Sequence, residues 1–369
     1  MSDVELRGVE KTFTDGKGGT TRVLHGVDIV APSGQFVVLL GPSGCGKSTS
    51  LRIIAGLEQA TAGEVLIDGR RVNDVPAAKR HIAMVFQNYA LYPHLSVLEN
   101  IVFGLRVRKV PKAEREKRAT EAAEKVGLVP YLDRRPSQLS GGQRQRAALA
   151  RALVSDAKVV LMDEPLSNLD AKLRQQMRIE LRSLQKELGL TVLYVTHDQV
   201  EAMTMADHVV TMRDGHVAQA ASPEELYVNP VDADVAAFIG SPPMNLLPVT
   251  RGTGGQILLP GGGAPWQTAL QAGPGRDLLL GIRPENLAIT HESGDATIPG
   301  TVKATEMLGA ETLLTVDLAG GHSLIARLPG IVRAGEGEQV LLKTDPESLR
   351  FFDAESRQRI VAVPQPASA

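Results

Sequence analysis

Three stretches of this chain have residue types and spacings suited to handling a phosphate ester. Gly41-Pro42-Ser43-Gly44-Cys45-Gly46-Lys47-Ser48-Thr49 follows the pattern G-x-x-x-x-G-K-[ST]. Its glycines let the backbone curl so that successive N–H groups point inward, and a helix starting there adds its positive end. Lys47 then reaches the β- and γ-phosphates, and the Ser48 hydroxyl can ligate Mg²⁺. Asp163-Glu164 closes a second stretch, after the apolar run Val159 to Met162. The first acid suits Mg²⁺, directly or through water. The second, across the pleat, can take a proton from an attacking water. The third stretch is Ser140-Gly141-Gly142-Gln143. Ser140 and Gln143 form a helix-capping pair. Two glycines in that first turn cost roughly 1 kcal/mol each against alanine. A plain cap explains Ser140 but not the glycines, which point to something approaching the backbone, an anion being the natural candidate.

Three single residues stand at the ends of predicted strands. Gln87 follows Ile82–Phe86, and His197 follows Thr191–Thr196. Carboxyl ends of strands are where α/β sheets place ligand contacts. A solvated loop glutamine and a satisfied structural histidine remain equally open at this point. Phe13 ends the strand Val4–Phe13 beside a loop, where an aromatic either stacks on a base or simply closes the strand.

The elements that must position these groups alternate strand and helix. Phe36–Leu40 leads into the glycine loop, and Leu51, Ile54 and Ala55 recur behind it at helical spacing. Val4–Phe13, Arg22–Val30 and Val65–Asp68 read as a small antiparallel sheet. Ser96 with Glu99 caps a helix carrying Leu98, Ile101, Val102 and Leu105, and Lys112–Lys125 is a charged helix whose charge is a solvated face. Past the loop Leu166–Asp170, a helix with Leu173, Met177, Leu181, Leu184 and Leu188 on one stripe stops at Gly189. Asp214-Gly215 joins Val209–Met212 to Val217–Ala220 as a type I′ hairpin.

Composition narrows the function classes. The chain's 369 residues suffice for two or three domains, and 40 basic against 42 acidic residues leave a net charge of −2, with no electrostatic case for nucleic acid. The single cysteine excludes an intrachain disulfide framework and fits a reducing compartment. No basic-then-apolar leader opens the chain, and no apolar run approaches the roughly 18 residues of a membrane span. A soluble, cytoplasmic protein is expected, whose membrane role would come through a partner. Near Gly240-Ser-Pro-Pro-Met-Asn245 the texture changes to short β-rich runs: Leu278–Ile282, Thr301–Thr305, Thr312–Leu318, Leu324–Leu328 and Val340–Leu342. These suggest a small barrel of the OB type. Gly252 to Gly255 and Gly261 to Gly263 read as loose loops, and Val363–Ala369 as a disordered tail.

Taken in order, the phosphate loop, Gln87, Leu139-Ser-Gly-Gly-Gln143, the strand ending in Asp163-Glu164, Ser167-Asn-Leu-Asp170 and His197 resemble the ATP-binding cassette (ABC) ATPases over residues 1–240. Val85-Phe86-Gln87-Asn88-Tyr-Ala-Leu-Tyr-Pro-His-Leu-Ser96 is similar to carbohydrate importers of the maltose type. Gly240 to Leu246, Gly281-Ile-Arg-Pro-Glu285 and Phe352-Asp353 resemble that subfamily's C-terminal regulatory domain. The resemblance implies an α/β fold. A P-loop NTPase domain over 1–240, with an antiparallel β subdomain and a helical subdomain, would precede an OB-like (TOBE/MOP-type) domain over 241–369.

It also implies roles for single residues. Gly41–Thr49 would cradle ATP and Phe13 would stack on adenine, although many members carry Tyr or Trp there. Ser48, Gln87 and Asp163 would serve Mg²⁺. Glu164 would be the general base, and His197 would contact the γ-phosphate. Ser140, Gly142 and Gln143 would close over the nucleotide of a second ATPase subunit, with Asp170 across that interface. The resemblance further implies two integral membrane permease subunits, an extracytoplasmic solute-binding protein, and a place at the cytoplasmic face of the cell membrane. Two other classes compete: a non-transport ABC ATPase of repair or translation, and a nucleotide sensor without turnover. About a hundred residues without heptads between Gly41 and Leu139 speak against the first, and Glu164 with His197 against the second. Cys45, beside Lys47 and a helix start, reads either as a partly activated thiol whose alkylation would block hydrolysis, with bound ATP protecting, or as a small residue tolerated there, whose labelling would be slow or harmless.

Overall fold

The computed structural model describes residues 3–16, 18–251, 256–259, 266–267, 277–292, 294 and 297–360. The expected loops at 252–255 and 261–263 and the tail 363–369 fall outside them. Two compact units divide the chain, Met1–Glu224 and Glu225–Ala369. The break falls before Gly240, and helix Ala233–Phe238 goes with the second unit because Ala233 and Ala236 pack with Met244 and Phe352.

The first unit holds ten strands and six helices among its described residues: β1 (Val4–Thr14), β2 (Thr20–Ala31), β3 (Phe36–Leu40), α1 (Lys47–Ala55), β4 (Ala62–Ile67), β5 (Arg70–Arg71), β6 (Ile82–Val85), α2 (Val97–Val107), α3 (Lys112–Lys125), α4 (Gly141–Leu153), β7 (Val159–Asp163), α5 (Ala171–Leu188), β8 (Thr191–Thr196), α6 (Gln199–Met205), β9 (His208–Arg213) and β10 (His216–Ala221). Strands β2-β1-β4-β5 form an antiparallel sheet. A six-stranded sheet runs β10-β9-β3-β8-β7-β6, parallel except for the edge strand β10. Strands β3, β7 and β8 are buried along their whole length, so they read as unbroken apolar runs rather than alternating ones.

One core joins the two sheets through α1. Leu51, Ile53 and Ile54 pack with Leu6, Leu24 and Ile29 of the antiparallel sheet and with Leu39, Leu161 and Leu193 of the parallel one. The end of α1 is held by Arg80, which is buried and donates to the carbonyls of Ile53 (2.7 Å) and Ile54 (2.8 Å). A cation there answers both the orphan carbonyls and the helix dipole. Helices α2 and α4 start with capping boxes at Ser96/Glu99 and Ser140/Gln143, as their sequences predict. Helix α3 buries Ala119, Ala122 and Ala123 and pairs its charges along the solvated side, Lys112 with Glu116 and Lys117 with Glu121.

The second unit is β-rich, as expected. Its strands are β11 (Asn245–Arg251), β12 (Gln256–Leu258), β13 (Trp266–Gln267), β14 (Asp277–Ile282), β15 (Leu287–Thr290), β16 (Thr297–Met307), β17 (Glu311–Asp317), β18 (Ser323–Pro329), β19 (Gln339–Thr344), β20 (Arg350–Asp353) and β21 (Arg359–Ile360). They form the antiparallel sheets β13-β12-β11-β14-β20-β21 and β15-β19-β16-β17-β18, which share a core of Leu247, Leu280, Ile282, Leu314, Val316, Leu324 and Leu342. Arg283 is buried beside it and donates to the carbonyls of Tyr227 (2.8 Å) and Ala236 (3.1 Å), tying the short helices to the sheet. Burial and the Glu285 carboxylate, which accepts the Tyr227 hydroxyl, push that tyrosine up to about 12.

Candidate functional site

Four adjacent parallel strands, β3, β8, β7 and β6, end on the same edge of the sheet. The segments that leave them begin at Gly41, His197, Glu164 and Phe86-Gln87. Sheet order therefore sets side by side what the sequence spreads over more than 150 positions. This is the crevice in which an open α/β sheet binds ligands.

Gly41–Thr49 curls from β3 into α1. A Cβ on Gly41 would lie 2.3 Å from the Met212 carbonyl oxygen, and Gly46, at φ 101°, would press a Cβ 2.4 Å from Leu24. Both positions need glycine for conformation and for space. Lys47 is buried, and its Nζ donates to the carbonyls of Gly41 (2.7 Å) and Pro42 (2.8 Å), so the ammonium lies over the loop that it follows. Pro42, Ser43 and Gly44 are exposed at the loop's crest. Cys45 departs from expectation. Its side chain is 4% exposed and packs in the core with Leu51 and Met212, so a reagent reaches the thiol only when the loop opens. Ready alkylation is therefore not expected.

Ser48 and Asp163, 115 residues apart, meet directly: the Ser48 hydroxyl donates to Asp163 Oδ1 at 2.7 Å. Among the described residues no group of three or more His, Cys, Asp or Glu is arranged to hold a metal. Two adjacent hard oxygens fit a small cation completed by a ligand's phosphates and water, the usual situation of Mg²⁺. Gln87 lies further along the row, its Nε2 3.5 Å from Glu164 Oε2 and 3.4 Å from the Ser167 hydroxyl.

Glu164 occupies the centre of the row. Its N–H continues the ladder by donating to the Val195 carbonyl at 3.0 Å, while its φ of 44° swings the chain out before Pro165. A left-handed, non-glycine residue ahead of a proline is strained, and such strain collects at functional positions. The carboxylate oxygen Oε2 lies 3.3 Å from His197 Nδ1, and the His197 ring is otherwise open to solvent. An acceptor between an imidazole and an amide, at the mouth of a phosphate loop, can take a proton from a water placed there.

Sequence reading missed the groups that hold this pair. Ser167 donates to the Glu164 carbonyl at 2.9 Å and Asn168 Nδ2 to the Gln87 carbonyl at 3.0 Å, so the loop after β7 clamps both neighbours. Arg174 links the Leu169 carbonyl (3.0 Å) to Asp198 (3.3 Å), which caps α6 right after His197. Beneath them Glu201 is buried and accepts the hydroxyls of Thr196 (2.7 Å) and Tyr194 (2.8 Å). Burial pushes its carboxyl up, against the pull of those two hydrogen bonds. The signal for Ser167 and Asn168 stood beside Asp170. Nothing local distinguishes Glu201 from any helix acid.

Ser140, exposed, and Gln143, half-buried, make their capping box at the start of α4. The glycine pair has an intramolecular reason that the sequence reading lacked. Cβ atoms on Gly141 and Gly142 would touch Leu169 and Leu173 at 3.0 Å, and Asp170 caps α5 between those leucines. Among the described residues no hydrogen bond or ion pair joins Ser140, Gly142 or Gln143 to the phosphate loop, Asp163 or Glu164. Phe13, next to last in β1, is 40% exposed, and Lys11 Nζ lies 4.6 Å from its ring centre.

Beside Gln87 lies a groove of about 360 Å³, lined by Phe86, Tyr92, Phe103, Arg108, Arg151 and Val154 among others. Tyr89 and Ala90, two successive left-handed residues (φ 62° and 46°), turn the chain along it. Arg151 of α4 holds them, donating to the Tyr89 carbonyl at 2.8 Å and the Ala90 carbonyl at 2.5 Å. Arg151→Met strips both acceptors of their donor. We expect it to lower stability by about 1–3 kcal/mol, read as a depressed thermal midpoint; a loss below about 0.5 kcal/mol would mean that the clasp holds nothing.

Comparison with known proteins agrees with this geometry. Residues 24–167 match the family described as ABC transporter, 240–287 the MalK OB fold domain and 280–352 the TOBE domain. An sn-glycerol-3-phosphate import ATP-binding protein of Cupriavidus pinatubonensis is 48% identical over 98% of this chain and 100% of its own length. An alpha-glucoside transport ATP-binding protein of Rhizobium meliloti is 47% identical over 96% of this chain and 98% of its own. Among solved structures, a dimeric bacterial ABC transporter cassette covers 60% of this chain and 98% of its own at a TM-score of 0.54 and 36% identity. The same cassette, with the same score and identity, has been solved in a post-hydrolysis state bound to ADP and Pi.

Proposed function

Because the chain belongs to the ABC transporter ATP-binding proteins, and is an ATPase of that family, we propose that it powers the uptake of a carbohydrate-class solute across a cell membrane. The observation that carries the reading is the row of strand ends, where Ser48 meets Asp163 and Glu164 faces His197. The names of the relatives favour sn-glycerol-3-phosphate or an α-glucoside as the solute.

In this reading the N–H groups of Gly41–Thr49 and the Lys47 ammonium take the β- and γ-phosphates of ATP. Ser48 and Asp163, with Gln87 beside them, would hold Mg²⁺, which would neutralise phosphate charge. Glu164 accepts a proton from water as the water oxygen bonds to the γ-phosphorus and the bond to ADP breaks. His197 steadies that carboxylate and faces the γ-phosphate. Phe13 stacks on adenine. Ser140, Gly142 and Gln143, which touch none of these groups within the chain, close over the ATP of a second copy with Asp170 at the seam. Sandwiched ATP draws two copies together, and loss of the γ-phosphate lets them part.

No helix among the described residues is long and apolar enough to cross a membrane. A peripheral place at the cytoplasmic face, on two permease subunits fed by an extracytoplasmic binding protein, fits that. The groove beside Gln87 supplies an apolar floor with Arg108 and Arg151 at its side, suited to a short permease helix. Phe86 lines it and Gln87 reaches toward Glu164, so motion in the groove has a path to the reacting centre. The test is ATPase activity of the complex in liposomes with its binding protein. Stimulation by one solute supports import, whereas failure to associate with any permease, with no solute response, overturns it.

A further inference from the structure

We propose that Lys11 is a positioning residue for the nucleobase: held against one face of the Phe13 ring, its ammonium fixes and polarises that ring so that the base stacks on the other face. This rests on the reading of Phe13 as the base-stacking aromatic.

The geometry separates the two faces of the ring. Lys11 and Phe13 stand two residues apart on β1, and the Lys11 Nζ lies 4.6 Å from the ring centre. Lys11 is only 9% exposed, yet Phe13 beside it is 40% exposed. One face is thus closed by a fixed cation while the ring still offers surface to a flat partner. The ammonium does not wander. It donates to Glu58 Oε1 at 2.6 Å and to the Gln59 carbonyl at 2.8 Å, which leaves its third donor for the ring. The hydrogen bond from Lys11 draws the Glu58 carboxyl below its ordinary range.

Two physical consequences follow. A cation over an aromatic face is worth more when it is withdrawn from water, and this one is. By drawing π density toward itself it leaves the far face less negative, which favours stacking against an electron-rich purine. Phenylalanine has neither a hydroxyl nor an indole N–H to orient it, so the cation also sets the ring's plane. Glu58 and Gln59 lie just past α1, whose first residue is Lys47, and the N–H groups of Leu57 and Glu58 donate to the Arg52 carbonyl at 2.9 and 3.2 Å. Lys11 therefore registers the base end of the site against the helix that begins at its phosphate end.

The test uses the full chain with Lys11→Met, Lys11→Arg and Phe13→Ala, with inorganic tripolyphosphate as a ligand that has phosphates but no base. Lys11→Met is expected to weaken ATP by about three- to tenfold, while tripolyphosphate affinity holds within about twofold. Lys11→Arg, which keeps a cation at the ring, is expected to restore most of the ATP affinity. Equal weakening of ATP and tripolyphosphate would reduce Lys11 to a structural tether and overturn the proposal. Should Phe13→Ala weaken ATP while Lys11→Met does not, Lys11 loses this role and the base reading survives. If Phe13→Ala leaves ATP affinity untouched, the base reading falls and the proposal with it.

Discussion

The Glu164→Gln protein is expected to bind ATP normally and to hydrolyse it about 10²–10⁴-fold more slowly than the parent, the usual contribution of a positioned general base. Glutamine keeps the length and shape of the side chain, so Ser167 and the Val195 carbonyl, which grip the Glu164 backbone, lose nothing. What changes is confined to the carboxylate oxygen 3.3 Å from His197 and 3.5 Å from Gln87. A carboxylate there can receive a proton as the water attacks; an amide cannot. With the γ-phosphate retained, the variant should accumulate as an ATP-bound dimer. Phosphate release and nucleotide binding, measured on one preparation, decide the matter. Turnover within about threefold of the parent would remove Glu164 from the base role and move attention to His197.

The parts of this site that announce themselves in sequence are those with local physics. The glycine loop, the two capping boxes and the strand ending in Asp163-Glu164 are each decided within ten residues or so by sterics, orphan N–H groups or an apolar run. Parallel pairing is not local. That β3 lies beside β8, and β8 beside β7, is what brings Ser48 to Asp163 and His197 to Glu164, and motif order alone does not state it. Orientation was hidden as well. Cys45 sits in the glycine loop yet turns into the core, because the curl that exposes Ser43 and Gly44 buries its neighbour. The supporting groups were hardest to find. Arg174, Thr196 and Glu201 act through other side chains and carry no pattern of their own. In the second unit the strand runs were legible, but the pairing of Leu279 with Phe352 spans a separation that no window covers.

A mixture of two inactive variants should regain activity that neither has alone. Lys47→Ala removes the cation that lies over the phosphate loop, so that chain's own ATP is poorly held. Gly142→Asp sets a carboxylate in the first turn of α4, where the helix dipole favours it; Gly142 is buried and a Cβ there meets Leu173 at 3.0 Å, so an unchanged helical circular dichroism is the control that the variant folds. The new charge would instead repel a γ-phosphate brought to that turn. If each nucleotide is gripped by the loop of one copy and the α4 start of another, the mixed dimer contains one doubly damaged site and one intact site. If both parts served the same ATP within a chain, every site in the mixture would be damaged. Random pairing gives about half mixed dimers, each with one intact site of two, so recovery to at most about a quarter of parental hydrolysis is expected. ATP-dependent dimerisation of the mixture, followed by size-exclusion in the Glu164→Gln background, reads the same assembly without turnover. A mixture no more active than its components, with no ATP-dependent dimer, would place the Ser140–Gln143 turn outside the nucleotide site.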